Sequence, residues 1–229
     1  MATATHPLDH AAWSALTGRQ AHLAIVQGGA RRFDPAYGVF AALADKSPKT
    51  VIDLAGLLAA HGDVAFLQPA SPPEGPGVGI VSQDLGVQMT AERLTPAPTP
   101  AFEMTPLTSA DGPEMLALAT LTAPGPFFQR THELGDFFGV KIDGRLVAMA
   151  GERMKPDGFT EVSGVCTHPD HRGRGYAGAL MRLVAGRILD RGETAFLHAY
   201  ASNTGAIALY ESLGFGLRRQ VLMTRLAAV

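Results

Sequence analysis

The run His168-Pro169-Asp170-His171-Arg172-Gly173-Arg174-Gly175-Tyr176-Ala177-Gly178 gathers basic side chains and bare backbone where a long amphipathic segment begins. Glycine at 173 and 175 keeps side chains away from a helix start. The first N–H groups there have no partner within the helix and can converge on an anion. The helix dipole adds about half a positive charge at that end, and Arg172 and Arg174 stand beside it for charge-assisted hydrogen bonds. Two cations oppose the dipole unless an anion lies between them, so the run reads as a phosphate grip. A flexible turn before a helix is the plainer alternative. It is not a P-loop, because no Gly-Lys-Ser/Thr follows. Nor is it a dinucleotide fingerprint: Gly173, Gly175 and Gly178 have the spacing but lack the acidic residue a strand further on.

The flanking elements must hold this loop in place. A helix is expected from about 173 to 191, with Tyr176, Leu180, Leu183, Val184 and Ile188 on one stripe. Before it, TEVSGVCTH (160–168) alternates, placing Val162, Gly164 and Cys166 on one side and Glu161, Ser163, Val165 and Thr167 on the other. Upstream, two apolar runs in 136–154 are joined by Asp143-Gly144, a dipeptide that closes hairpins. AFEMTPL (101–107) reads as a strand and DGPEMLALATL (111–121) as a helix. Downstream come a strand in TAFLHAYA (194–201), a helix in TGAIALYESLG (204–214) and a final pair of strands in 215–229. A hairpin-led antiparallel sheet that acquires strand-helix-strand units late in the chain is an α+β fold.

The first hundred residues read as a smaller α/β unit. Strands are expected in 22–27, 64–68 and at least once in 78–94, and helices in YGVFAALAD (37–45) and in 47–62, the latter capped by Ser47 with Pro48 at its first position. PAPTP, inside 94–102, favours extended backbone and marks a boundary, giving units 1–100 and 101–229. The first unit shows no catalytic constellation; His22 and His61 stand alone.

Composition narrows the function classes. Hydrophobic residues are 46% and charged residues 17% of 229, a composition that folds. The net charge is −2, with 6 basic against 8 acidic residues in 1–100 and 13 against 13 beyond, so neither half has the basic excess of a nucleic-acid reader. One cysteine, Cys166, rules out an intramolecular disulfide and a Cys-rich zinc site. Neither a signal peptide nor an apolar run long enough to span a bilayer is evident. A cytoplasmic protein with no nucleic-acid, membrane or metal partner is expected, and a homodimer stays open.

The segment Arg172-Gly-Arg-Gly-Tyr-Ala177 resembles the Arg/Gln-x-x-Gly-x-Gly/Ala signature of the GNAT superfamily of acyl-CoA N-acyltransferases. The strand ending VCTHP precedes it and ASNTGAIALYESLGF (201–215) follows it, in family order and spacing. The resemblance covers 101–229, and GVCTHPDHRGRGYA is most similar to the branch that includes glycine N-acyltransferase-like proteins. It implies a mixed, mainly antiparallel sheet with flanking helices and a late strand-helix-strand coenzyme A site. Residues 1–100 carry none of these motifs; a degenerate copy of the same fold is one reading of them.

The resemblance implies acetyl-CoA as co-substrate and a small-molecule or peptide amine as acceptor, with direct attack in a ternary complex. The amides of Arg172, Gly173, Arg174, Gly175, Tyr176, Ala177 and Gly178 would hold the pyrophosphate. Backbone at Val165, Cys166 and Thr167 would pair with the pantetheine arm. Tyr210 matches the tyrosine that protonates the departing thiolate, although a core aromatic is the alternative. Asn203 can cap the following helix, bond the coenzyme, or do both. Glu161 is placed to take the amine proton, directly or through water. Glu152, His132 and His198 compete with it, and ordered water alone is a further option. Cys166 lacks a histidine and acid to activate it, so it reads as an apolar side chain facing the sheet. The acceptor is expected against the hairpin 137–154, the segment 124–136 and the first half, with Phe127 and Phe128 lining the pocket or closing the core. A catalytically silent acyl-CoA sensor and a transferase for longer acyl chains are the competing functions.

Overall fold

Alternating apolar residues from both ends of the chain meet in one sheet. The computed structural model describes residues 6–229. In chain order these form α1 (Ala11–Thr17), β1 (Ala24–Gln27), β2 (Ala30–Phe33), β3 (Ala41–Leu43), α2 (Pro48–His61), β4 (Val64–Gln68), β5 (Gly79–Ala91) and β6 (Thr105–Leu107). There follow α3 (Gly112–Thr122), β7 (Phe137–Ile142), β8 (Arg145–Glu152), β9 (Phe159–Thr167), α4 (Tyr176–Asp190), β10 (Thr194–Tyr200), α5 (Thr204–Leu213) and β11 (Gly216–Ala227). Strands β1–β3 make a small antiparallel sheet, and the other eight make a sheet in the order β4-β11-β5-β10-β9-β8-β7-β6. The α+β architecture is therefore as expected. The sheet, however, crosses the Pro-rich segment: β4 and β5 precede residue 95, and β5 sits between β10 and β11.

Helices cover both faces. Leu180, Met181, Val184, Ala185 and Ile188 of α4 pack with Phe138, Val140, Ala148, Ala150 and Val162 on one side. On the other, Met115, Leu118 and Ala119 of α3 pack with Phe137, Met149 and Cys166. Beside α3, α1 lies with Phe33, Phe40 and Phe196, so the first half of the chain roofs the sheet next to β10. Among the described residues no helix is long and apolar enough to cross a membrane.

Three local expectations are corrected. YGVFAALAD is not helical; it carries β3, whose register Ala30↔Leu43, Arg31↔Ala42 and Arg32↔Ala41 ties it to β2. Alanine's helix preference is weak enough for tertiary pairing to override it. Residues 215–229 form one strand rather than two, because β11 pairs with β5 along its whole length, with a register shift between Leu217 and Arg219. The simple alternation of 160–168 also fails. Between Met149↔Cys166 and Gly151↔Ser163, β9 carries one residue more than β8, a bulge at Gly164, whose φ is 63°. One extra residue reverses the faces beyond it, so Val162 packs in the core under α4 whereas Cys166 packs under α3.

Other expectations hold in detail. Asp143 and Gly144 both have positive φ, 51° and 77°, as the tight hairpin turn requires. The Ser47 hydroxyl accepts from the Thr50 N–H at 3.3 Å, with Pro48 at the first position of α2.

Candidate active site

The loop before α4 has the conformation that its glycines permit. Gly173 and Gly175 have φ of 76° and 80°, a left-handed backbone in which a side chain is strained. A Cβ at either position would meet no atom within 4 Å, so both face open space. Gly175 caps α4 without a side-chain hydrogen bond, leaving the first-turn amides for a ligand. Tyr176 contributes backbone to this turn; its ring is buried and lies edge-on to Phe102, with centroids 4.7 Å apart. Two buried polar atoms nearby, Thr167 Oγ1 and His171 Nδ1, have no protein partner among the described residues. Arg172 and Arg174 are exposed. Open glycine backbone, helix-start amides and two arginines fit the diphosphate of a coenzyme.

The sheet opens beside this loop. Strands β9 and β10 run parallel and pair only at Phe159↔Thr194, Thr160↔Ala195 and Glu161↔Phe196. Beyond Glu161, β9 stays with β8 while β10 stays with β5, and the two diverge. The gap is a cavity of about 690 Å³, lined by Val162–Val165 on one side and Leu197–Tyr200 on the other, with Asn203 and Tyr210 at its α5 end. Asn203 caps α5 through Oδ1, which accepts from the Ala206 N–H at 3.2 Å. Burial pushes the Tyr210 phenol above its ordinary pKa of 10.0, so it keeps its proton at neutral pH.

The candidate proton acceptors separate cleanly. Glu161 is fully buried and is gripped by Arg153, Nε to Oε2 at 2.8 Å and Nη2 to Oε1 at 2.7 Å. His198 Nδ1 lies 2.7 Å from the same Oε1. Burial alone would raise the Glu161 carboxyl; the charge and hydrogen bonds of Arg153, then those of His198, override it and hold the pKa at about 2. So weak a base, absent from the cavity wall, is poorly placed to accept the amine proton directly. Arg153 and His198, its two partners, do line the cavity. His198 Nε2 in turn lies 3.0 Å from Gln88 Nε2. Gln88 is oriented by donating to the Leu8 carbonyl at 2.8 Å and accepting from Arg218 Nη1 at 2.7 Å. Its amide nitrogen therefore donates to His198, which must present a lone pair at Nε2 and a proton at Nδ1.

Glu152 is buried between Lys155 Nζ (2.7 Å) and Arg191 Nη2 (2.8 Å) and does not line the cavity. His132 is also absent from that wall; its ring instead stands where a Cβ on Gly112 would go, Cε1 2.9 Å away. Cys166 is buried, and burial raises its thiol to about 11, so it carries almost no thiolate at neutral pH.

The opposite wall is built from residues that the sequence did not single out. Arg32, Phe40, His61, Asp63 and Phe66 from the first half line it, together with Met223 and Arg225 of β11. Pro124, Gly125, Pro126 and Phe128 contribute as expected, whereas Phe127 turns away to meet Phe137 edge-on at 5.8 Å. Of the hairpin 137–154, Arg153 alone is among the lining residues. Nothing in the run Ala30-Arg31-Arg32-Phe33 distinguishes Arg32 from Arg31.

A parallel strand pair that parts over a helix-start anion site is the architecture of a coenzyme A-dependent acyltransferase. The FR47-like protein family matches residues 139–223. A crystal structure of a Novosphingobium aromaticivorans protein, titled a putative acetyltransferase of the GNAT family, shares 45% identity over 98% of this chain and 100% of its own, with a TM-score of 0.88. The chain belongs to the GNAT family of acyl-CoA-dependent acetyltransferases. A GCN5-related N-acetyltransferase from Kribbella flavida (20% identity, 96% and 95% of the chains, TM-score 0.63) and a GCN5-related N-acetyltransferase-like protein from Streptococcus suis (17%, 96% and 92%, 0.61) share the fold. No protein of curated function matches the sequence.

Proposed function

We propose that the protein moves an acetyl group from acetyl-CoA to a primary amine, both held at once in the cavity between β9 and β10. The observation that carries this reading is the divergence of the two strands after Glu161, which opens a cavity whose second wall is made by residues before 100. Acetyl-CoA supplies the activated thioester. The chain supplies the amides of the α4 turn for the diphosphate and the unpaired edge of β9 at Val165–Thr167 for the amide-bearing arm. The bulge leaves Gly164 and Val165 without ladder partners on β8, and their N–H groups are the ones offered to a developing oxyanion.

Tyr210 is the proton donor in this reading. Tyr210 lines the cavity beside Asn203, holds its proton, and in this reading gives it to the thiolate sulfur. Glu161 acts as a positioning residue, fixing Arg153 and the His198 tautomer. Both ring nitrogens of His198 are engaged, so the amine loses its proton to cavity water. The buried thiol of Cys166 supports direct transfer without an acyl-cysteine. Tyr210→Phe should lower kcat by about 10²-fold or more, the usual contribution of a general acid, with little change in coenzyme A affinity. An unchanged kcat removes Tyr210 from the chemistry.

A further inference from the structure

Three arginines line the cavity among the described residues: Arg32, Arg153 and Arg225. Two of them are neutralised where they stand. Glu161 grips Arg153, and Asp63 accepts from Arg225 Nη2 at 2.6 Å and from its Nε at 3.0 Å. Arg32 differs. It is 2% exposed, and no carboxylate lies within ion-pair distance of it among the described residues. Its Nε donates to the Phe33 carbonyl at 3.2 Å, and its Nη1 donates to the His61 and Gly62 carbonyls at 2.9 and 2.7 Å.

A guanidinium has five N–H donors, and these three bonds use the hydrogens on Nε and Nη1. Both hydrogens on Nη2 have no acceptor among the described residues. The carbonyl end of α2 offsets part of the charge, as arginines at helix C-termini commonly allow. That capping job uses Nη1 and gives no reason for a side chain that also opens on the cavity. Asp34 and Asp63 act on Arg32 through space without a bonded contact, so its two spare donors are left for an anion to complete. Asp84 of β5 lines the same cavity and offers the opposite charge to an incoming ammonium group.

Building on the acyl-transfer reading, we propose that the acceptor is an amino acid-like molecule whose carboxylate docks on Arg32 Nη2 while its amine faces the strand gap. Arg32 is then the residue that selects the substrate class, and the first half of the chain is the acceptor-recognition wall.

The test is calorimetric titration of the coenzyme A-loaded protein with matched pairs: glycine and glycinamide, β-alanine and its amide, γ-aminobutyrate and its amide, glutamate and glutamate diamide. A hydrogen-bonded charge contributes enough for at least a tenfold preference, on the order of 10- to 100-fold. At least one carboxylate form should therefore bind that much tighter than its amide. Arg32→Gln should abolish the preference and leave coenzyme A affinity intact. Should Arg32→Gln fail to fold for want of the α2 cap, Arg32→Lys, which keeps a cation, and the analogue pairs on the unaltered protein still decide. Equal binding of acids and amides, no binding of any acid, or a preference that survives Arg32→Gln overturns the proposal. Failure of the acyl-transfer reading is read separately, as absence of thiol release from acetyl-CoA with every amine tried.

Discussion

Glu161 shows how far a residue's type can mislead about its work. A carboxylate at the head of the strand leading to the site invites the role of base, and the sequence could not reveal that Arg153, eight residues earlier, folds back across the hairpin to claim both oxygens. Its folded pKa of about 2 lies below the ordinary 4.5, so ionised Glu161 stabilises the fold fully above about pH 4.5, and that contribution is lost as the pH falls toward 2. Glu161→Gln leaves the Arg153 charge buried without its partner and should destabilise by about 3–5 kcal/mol. Chemical denaturation should show that loss at pH 7 and a flatter dependence between pH 4.5 and 2 than the parent has. A parent with no dependence in that window contradicts the ion-pair account. Tyr210, Asn203 and the residues 172–178 could be named from the sequence because local backbone or a short motif suggests jobs for them. Arg32 went unread and His198 stood only among several competing proton acceptors, because burial and partners across the sheet define them.

The bulge in β9 is the element-scale feature on which the site turns. The sequence showed alternation in 160–168 and a glycine within it, but not that Gly164 would adopt positive φ and reverse the faces of the strand after it. A Cβ there would stand 2.9 Å from Phe137 Cε1, in a backbone region that disfavours side chains by about 1–2 kcal/mol. Gly164→Ala should therefore lower stability by at least that amount and reduce kcat/KM by straightening the strand edge that faces the thioester. Full retention of both, by denaturation and by thiol-release kinetics, would show that the bulge is dispensable. Helices were read well where a cap or a stripe marks them, the Ser47 cap for α2 and the apolar stripe for α4. Short strands were read poorly where pairing decides: the alanines of β3 speak for a helix until β2 lies beside them, and β11 looks divided until β5 runs its full length.

Across the whole molecule, the Pro-rich segment separates two stretches of sequence that share one sheet. Because β5 lies between β10 and β11, a fragment of residues 101–229 would leave the facing edges of both strands unpaired and the apolar face under α1 uncovered. We expect that fragment to lack cooperative unfolding by circular dichroism, and a cooperative transition would establish 101–229 as an independent domain. The same topology explains why the proposed coenzyme end could be named from the sequence and most of the proposed acceptor wall could not: the former is made of consecutive residues, the latter of strands and loops brought from far apart in the chain. The account rests on coenzyme A binding at the start of α4, and calorimetry of the full chain with coenzyme A tests it most directly. Binding should be clear for the parent and at least tenfold weaker for Gly173→Ala/Gly175→Ala, since each added methyl strains the left-handed turn proposed to hold the diphosphate, a cost of about 1–2 kcal/mol per position. No heat with the parent, or equal affinity in a folded double variant, would contradict it.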